Sequence, residues 1–146
     1  MKKKVMILMA VLVIAAFQLQ TAFSGQLSEE AKLIGTWTTT SCSTDSSGNP
    51  CPYLPDSMEF FKDNTMTMSN FDTKHFPFKT TLTNEEKLAI EKRDPDTKGK
   101  NLLLIKHRPD INWADTRMMY VYSVDKNELT LTLKGWKPAK FGRIAK

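Results

Sequence analysis

A glycine two residues ahead of a tryptophan, followed by a run of β-branched residues, constrains this chain more than any other feature: Leu33-Ile34-Gly35-Thr36-Trp37-Thr38-Thr39-Thr40. β-Branched side chains favour the pleated strand. The glycine allows a sharp bend and close backbone approach where the strand begins. Trp offers the largest apolar surface of any side chain, so Trp37 is expected to floor a β core.

Residues 1–24 stand outside the fold. Lys2-Lys3-Lys4 is a basic leader, residues 5–17 form an apolar stretch, and Ala22-Phe23-Ser24 places small residues where a signal peptidase cleaves. The apolar stretch is shorter than the roughly 20 residues that span a bilayer, so removal after Ser24 leaves no membrane-inserted segment. The expected product is periplasmic or secreted, a monomer with one domain over residues 25–146. Three of the 21 basic residues lie in the leader, so 18 face 16 acidic ones, a net of +2. The two signs are interspersed, which argues against nucleic acid as a partner.

Cys42 and Cys51 both fall in the mature part. An even cysteine count in an oxidising compartment points to a disulfide. The loop it closes, Thr44-Asp45-Ser46-Ser47-Gly48-Asn49-Pro50, has turn composition. A zinc site needs short paired spacings, and with only His75 and His107 elsewhere a metal site is the weaker alternative.

Beyond that loop the chain is a succession of short strands. Met58-Glu59-Phe60-Phe61 and Thr65-Met66-Thr67-Met68 flank Lys62-Asp63-Asn64 as a hairpin, with Met58, Phe60, Met66 and Met68 on one buried side. In His75-Phe76-Pro77-Phe78, Pro77 cannot donate to a ladder and belongs at an edge or bulge. Residues 84–91 are ambiguous. Thr83-Asn84-Glu85-Glu86 has the form of a helix capping box, whereas Leu88 and Ile90, two apart, suit a strand; the strands all around favour the latter. Residues 102–105 are a continuous apolar run, the mark of a strand covered on both faces. Trp113 lies in a polar loop. Residues 117–124 put Met119 and Val121 on one side and Tyr120 and Tyr122 on the other, Glu128-Leu129-Thr130-Leu131-Thr132-Leu133 alternates cleanly, and Lys140-Phe141-Gly142-Arg143-Ile144 closes the chain. About eight to nine strands joined by sequential turns, led by a short helix from Ser28, specify an all-β, antiparallel up-and-down barrel.

Leu33-Ile34-Gly35-Thr36-Trp37 after a short helix, the hairpin Phe60-x-x-Asp63-Asn64-Thr65, Tyr120-x-Tyr122 with Asn127-Glu128-Leu129, and a last strand carrying Arg143 together resemble the bacterial lipocalin-like domains of the calycin group. Asn64 stands where such hairpins usually carry glycine. The resemblance implies a barrel in which Trp37 packs under Arg143, a structural pair.

Three chemistries have candidate residues in this sequence. Asp94-x-Asp96-x-Lys98-Gly99 begins like a calcium loop, but Lys98 takes a ligand position and Ile105 the place of the closing acid. Hydrolase signatures such as Gly-x-Ser-x-Gly and His-Glu-x-x-His are absent from the sequence, and His75 and His107 have ordinary loop settings; no catalytic residue, cofactor or metal is expected. The third is a cavity. Phe60, Met66, Met68, Tyr120 and Tyr122 are ordinary core residues, yet they also make an adaptable lining for a small apolar or amphipathic molecule. A tyrosine hydroxyl or Trp113 would set the ligand's orientation. The competing expectation, from another class, is a recognition module for an envelope protein. Its interior would be solid, and the disulfide loop and the loop bearing Trp113 would make contact.

Overall fold

Alternation of side chains along short strands is realised as a ring. The computed structural model describes residues 28–50, 54–71 and 74–145. The strands are β1 (Gly35–Ser41), β2 (Ser57–Phe60), β3 (Thr65–Met68), β4 (Phe76–Lys79), β5 (Leu102–Ile105), β6 (Met118–Val124), β7 (Glu128–Thr132) and β8 (Ala139–Arg143). Each pairs antiparallel with the next, and β8 returns to β1, closing an eight-stranded up-and-down barrel. A short helix, α1 (Glu29–Leu33), leads into the barrel as expected, capped by the Ser28 hydroxyl, which accepts from the Ala31 amide. The leader residues and Cys51 lie outside the described residues.

The hairpin register sets Met58 opposite Met68 and Phe60 opposite Met66, so all four share the inner face. Asn64 carries a positive φ of 61°, a conformation that Asn tolerates better than other residues with a Cβ, and this is how the turn does without glycine. Trp37, Phe60, Met66, Leu103, Leu129 and Phe141 meet inside the barrel, each 1% exposed or less. Tyr120 and Tyr122 point into the same interior, while Met119 and Val121 face outward, as the alternation along β6 required.

Two expectations are corrected. Residues 84–93 form a helix, α2 (Asn84–Arg93), not a strand. Its capping box is complete: the Thr83 hydroxyl accepts from the Glu86 amide at 3.2 Å, and the Glu86 carboxylate accepts from the Thr83 amide at 2.8 Å. Residues two apart lie about 200° apart around a helix, so Ile90 is fully buried while Leu88 is 67% exposed. Ile90 packs on Leu102 and Leu104, the outward residues of β5; α2 is therefore the cover that makes β5 buried on both faces. Pro77, expected at an edge or bulge, sits inside the closed ring at the second residue of β4. Its side chain is exposed and its carbonyl still accepts from the Lys106 amide at 2.9 Å, so its missing donor costs the ring a single ladder bond.

At one end of the barrel, α1 and Arg143 form a plug. The Arg143 guanidinium lies over the Trp37 ring, 4.2 Å from its centroid. It also donates to the carbonyls of Lys32, Ile34 and Lys126. Glu30 extends the plug by accepting from the Thr80 and Thr81 amides. The structural pairing implied by the calycin-like pattern is therefore present.

Candidate functional site

Antiparallel connectivity puts four connections at the end opposite the plug, those that follow β1, β3, β5 and β7, with described residues 42–50 and 54–56, 69–71 and 74–75, 106–117, and 133–138. Within this mouth lies a cleft of about 480 Å³. Its apolar walls are Phe71, Met118, Tyr120 and Leu133, and its polar groups are Asn70, His107 and Arg117. Met118, Tyr120 and Leu133 belong to the inward-facing rows of β6 and β7 or pack on them, so the cleft opens onto the barrel's interior cluster. Phe71 is 44% exposed and meets Phe76 edge-on, with ring centroids 5.4 Å apart. It forms an apolar lip.

The sequence-derived candidates divide into three groups. Tyr120 lines the cleft and is buried at its base. Phe60, Met66, Met68 and Tyr122 are in the interior cluster, with Phe60 edge-on to Phe78 at 5.0 Å. Trp113 is not brought to them. It sits half-buried in a 3-10 turn (Trp113–Asp115) and packs with Ile90, Leu102 and Leu104 on the outside of the barrel. Lys106 and Lys79 lie 4.6 Å and 5.8 Å from its ring centroid, and Arg93 of α2 donates to the Ala114 carbonyl in the same turn at 2.6 Å. Trp113 thus helps seat α2. Cys42 is exposed, and its expected pairing with Cys51 rests on a residue outside the described ones. The loop between them is closed independently by a backbone bridge between Thr44 and Pro50 and is organised around the Asp45 carboxylate, which accepts from Ser47 and Asn49.

Phe71, Arg117 and Leu133 were not singled out from the sequence. Phe71 is an isolated aromatic in a polar connection, and that was the one local signal available.

A second, polar cleft of about 520 Å³ lies near the plugged end, among Glu29, Thr80, Lys87, Glu91, Lys100 and Tyr122. Burial pushes the Tyr122 hydroxyl above its ordinary ionisation range, an effect partly offset by its hydrogen bond with Thr80. Outside both clefts, the Lys134 ammonium, 2.8 Å from Asp94, holds that carboxyl below the usual range. Among the described residues no three His, Cys, Asp or Glu side chains gather as a metal site, and no described helix is long and apolar enough to cross a membrane.

The geometry defines a class: a closed, eight-stranded antiparallel barrel, plugged at one end by a helix and an arginine on tryptophan, with an apolar cleft at the other. No protein-family model, curated protein or solved structure matches the chain.

Proposed function

We propose that this protein is an exported, lipocalin-like carrier that holds a small apolar or amphipathic molecule at the mouth of its barrel. The observation that carries the reading is the mouth cleft. Small-molecule sites are typically concavities of roughly 300–1,000 Å³, mostly apolar with a few placed polar groups, and a cleft of about 480 Å³ walled by Phe71, Met118, Tyr120 and Leu133 has that character. Binding would draw on desolvation of this wall, with Met118 adapting to the ligand's shape. On this reading the protein is a monomer without catalytic chemistry, working in the periplasm or outside the cell. The Cys42–Cys51 disulfide would fasten a loop at the rim of the same mouth.

One observation favours a second reading, a module that recognises an envelope protein through its loops. The interior below the cleft is filled by side chains such as Trp37, Phe60, Met66 and Phe141, none more than 1% exposed, which suits a solid scaffold carrying recognition loops.

Native mass spectrometry of the protein purified from an envelope fraction separates the two without a guess at the ligand. A carrier brings a small companion mass that is lost on denaturation. An empty monomer whose envelope extract yields a stoichiometric protein partner counts against the carrier. The same spectrum reads the oxidation state of the two cysteines.

A further inference from the structure

The mouth cleft is not uniformly apolar, and its polar groups share one character. Arg117 and His107 stand in its lining with Asn70, and no carboxylate does so among the described residues. The cation among them, Arg117, is not consumed by the fold of the described residues. The ion pairs formed by the described residues join Lys32 to Glu29, Lys79 to Glu86, Arg108 to Asp110, Lys134 to Asp94 and Lys140 to Glu128, so Arg117 and His107 take part in none. Asp110, the acid closest in sequence to His107, is held by Arg108 at 2.6 Å and 3.2 Å. Arg143, by contrast, spends its guanidinium on three backbone carbonyls at the opposite end. Among the described residues Arg117 is thus an arginine with an open fork at the lip of an apolar cleft.

A guanidinium presents paired N–H donors whose spacing matches a carboxylate or a phosphate. Beside an apolar wall the attraction between opposite charges is stronger than in bulk water. An occupant that matches both features has an acidic head and a hydrocarbon body. The body would lie on Phe71, Met118 and Leu133, over Tyr120, and the head would meet Arg117.

We propose that the mouth cleft selects an anionic amphiphile, a hydrocarbon ending in a carboxylate, with Arg117 binding the head and His107 and Asn70 supplying further donors. The inference rests on the carrier reading and adds the ligand's charge to it. It makes Arg117 the residue that sets specificity and leaves the apolar wall to set most of the affinity.

The test compares matched probes on purified, delipidated protein by isothermal calorimetry below their micelle concentrations: octanoate and dodecanoate, the corresponding alcohols, and the corresponding alkylammonium ions. The expected result is that each carboxylate binds about tenfold more tightly than its alcohol, the scale of one charge-assisted pair, and that the ammonium ions bind worst. Arg117→Gln should erase the preference for the carboxylate while leaving the alcohols unchanged. Lys126→Gln, which removes the same charge from the turn at the plugged end, should preserve it. Equal binding of carboxylates and alcohols overturns the anionic selection and leaves the carrier reading standing. Equal loss in both variants shows an effect of net charge alone and also overturns it. Binding of none of the probes overturns both readings. Arg117 is exposed, and circular dichroism of the variant verifies that the fold persists.

Discussion

Arg143 lies opposite Trp37 in the pairing of β8 with β1, and its guanidinium covers the indole face at 4.2 Å while donating to the carbonyls of Lys32, Ile34 and Lys126. One side chain therefore ties together the last strand, the first strand, the end of α1 and the turn between β6 and β7. Trp37 is itself fastened from below, its Nε1 donating to the Leu33 carbonyl at 2.7 Å. Arg143→Ala should destabilise the protein by about 2–4 kcal/mol, the combined scale of a cation over an aromatic ring and charged hydrogen bonds. Arg143→Lys should recover less than half of that loss, because an ammonium cannot serve three divergent carbonyls and the ring together. Urea unfolding measures both, and a loss below about 0.5 kcal/mol for the alanine variant would show that the plug is ornamental to stability.

Gly35 has a φ of 128°, and a Cβ built there would stand 2.8 Å from Nη1 of Arg143. The glycine two residues before the tryptophan is thus required twice, by its own backbone and by the arginine passing over it. Gly35→Ala should cost about 1–3 kcal/mol from the strained backbone alone, with a further loss from displacing the guanidinium. The two parts separate in a double-mutant cycle. In an Arg143→Ala background the steric part vanishes and only the backbone penalty persists, so the two substitutions should be less than additive. Strict additivity would mean that the guanidinium does not approach Gly35 in solution.

The helix at Asn84–Arg93 makes opposite demands on two neighbouring apolar residues. Ile90→Ala opens a cavity between α2 and β5, where Ile90 meets Leu102 and Leu104, and should cost about 2–4 kcal/mol. Leu88→Ala should change stability by less than about 0.5 kcal/mol, since an exposed side chain loses little burial. Were the segment a strand, the two residues would share a face and their costs would converge. Thermal or urea denaturation of the pair therefore reads the local secondary structure directly.

That segment also shows what the sequence makes legible. Strands announce themselves where one face is wet and the other dry, as in Glu128–Thr132, whose residues alternate in burial as written. The hairpin around Asn64 and the sides of β6 were legible for the same reason. The α2 helix is not, because it buries only Ile90 and so lacks a repeating apolar stripe; its evidence is the capping box, and the Leu88 and Ile90 spacing fits a strand as well, so the strands on either side tip the reading the wrong way. Trp113 shows a different limit. A tryptophan in a polar loop has the same sequence signature whether it anchors a partner or, as here, fills the corner beneath a neighbouring helix. The mouth cleft is the least legible feature. Asn70 and Phe71, His107, Arg117 and Met118, and Leu133 come from three separate connections and the strand ends beside them, and only ring closure brings them together.

Asp94 is 7% exposed and paired with Lys134 at 2.8 Å across to the connection after β7. The ammonium's hydrogen bond holds the Asp94 carboxyl below its ordinary range. A depressed carboxyl contributes stability that is fully present above the unfolded-state value, about 3.9, and is lost as the pH falls through the lower folded-state value. The melting temperature should therefore drop as the pH falls below about 4, and part of that drop should disappear in Asp94→Asn, whose stability is lower at neutral pH and less dependent on acid. A carbon-13 titration of the aspartate carboxyls gives the site-specific reading. An Asp94 midpoint at or above the ordinary value would show that the pair is not formed in solution.

Tyr122 makes the complementary demand at high pH. Burial in the barrel raises its ionisation above the ordinary value of about 10, against the smaller opposing effect of its hydrogen bond with Thr80. The folded protein therefore keeps the phenolic proton after the unfolded chain has begun to lose it, and stability falls as the pH climbs above the unfolded value. Tyr122→Phe removes this group and should flatten its share of the alkaline limb, at the cost at neutral pH of the bond with Thr80. Ultraviolet titration of the folded protein should show no change near pH 10 on Tyr122→Phe, whereas the urea-unfolded variant should lose one phenolic group that titrates there. If the substitution instead removes a group titrating in the ordinary range, water reaches the Tyr122 hydroxyl, and the interior of the barrel is open at the plugged end.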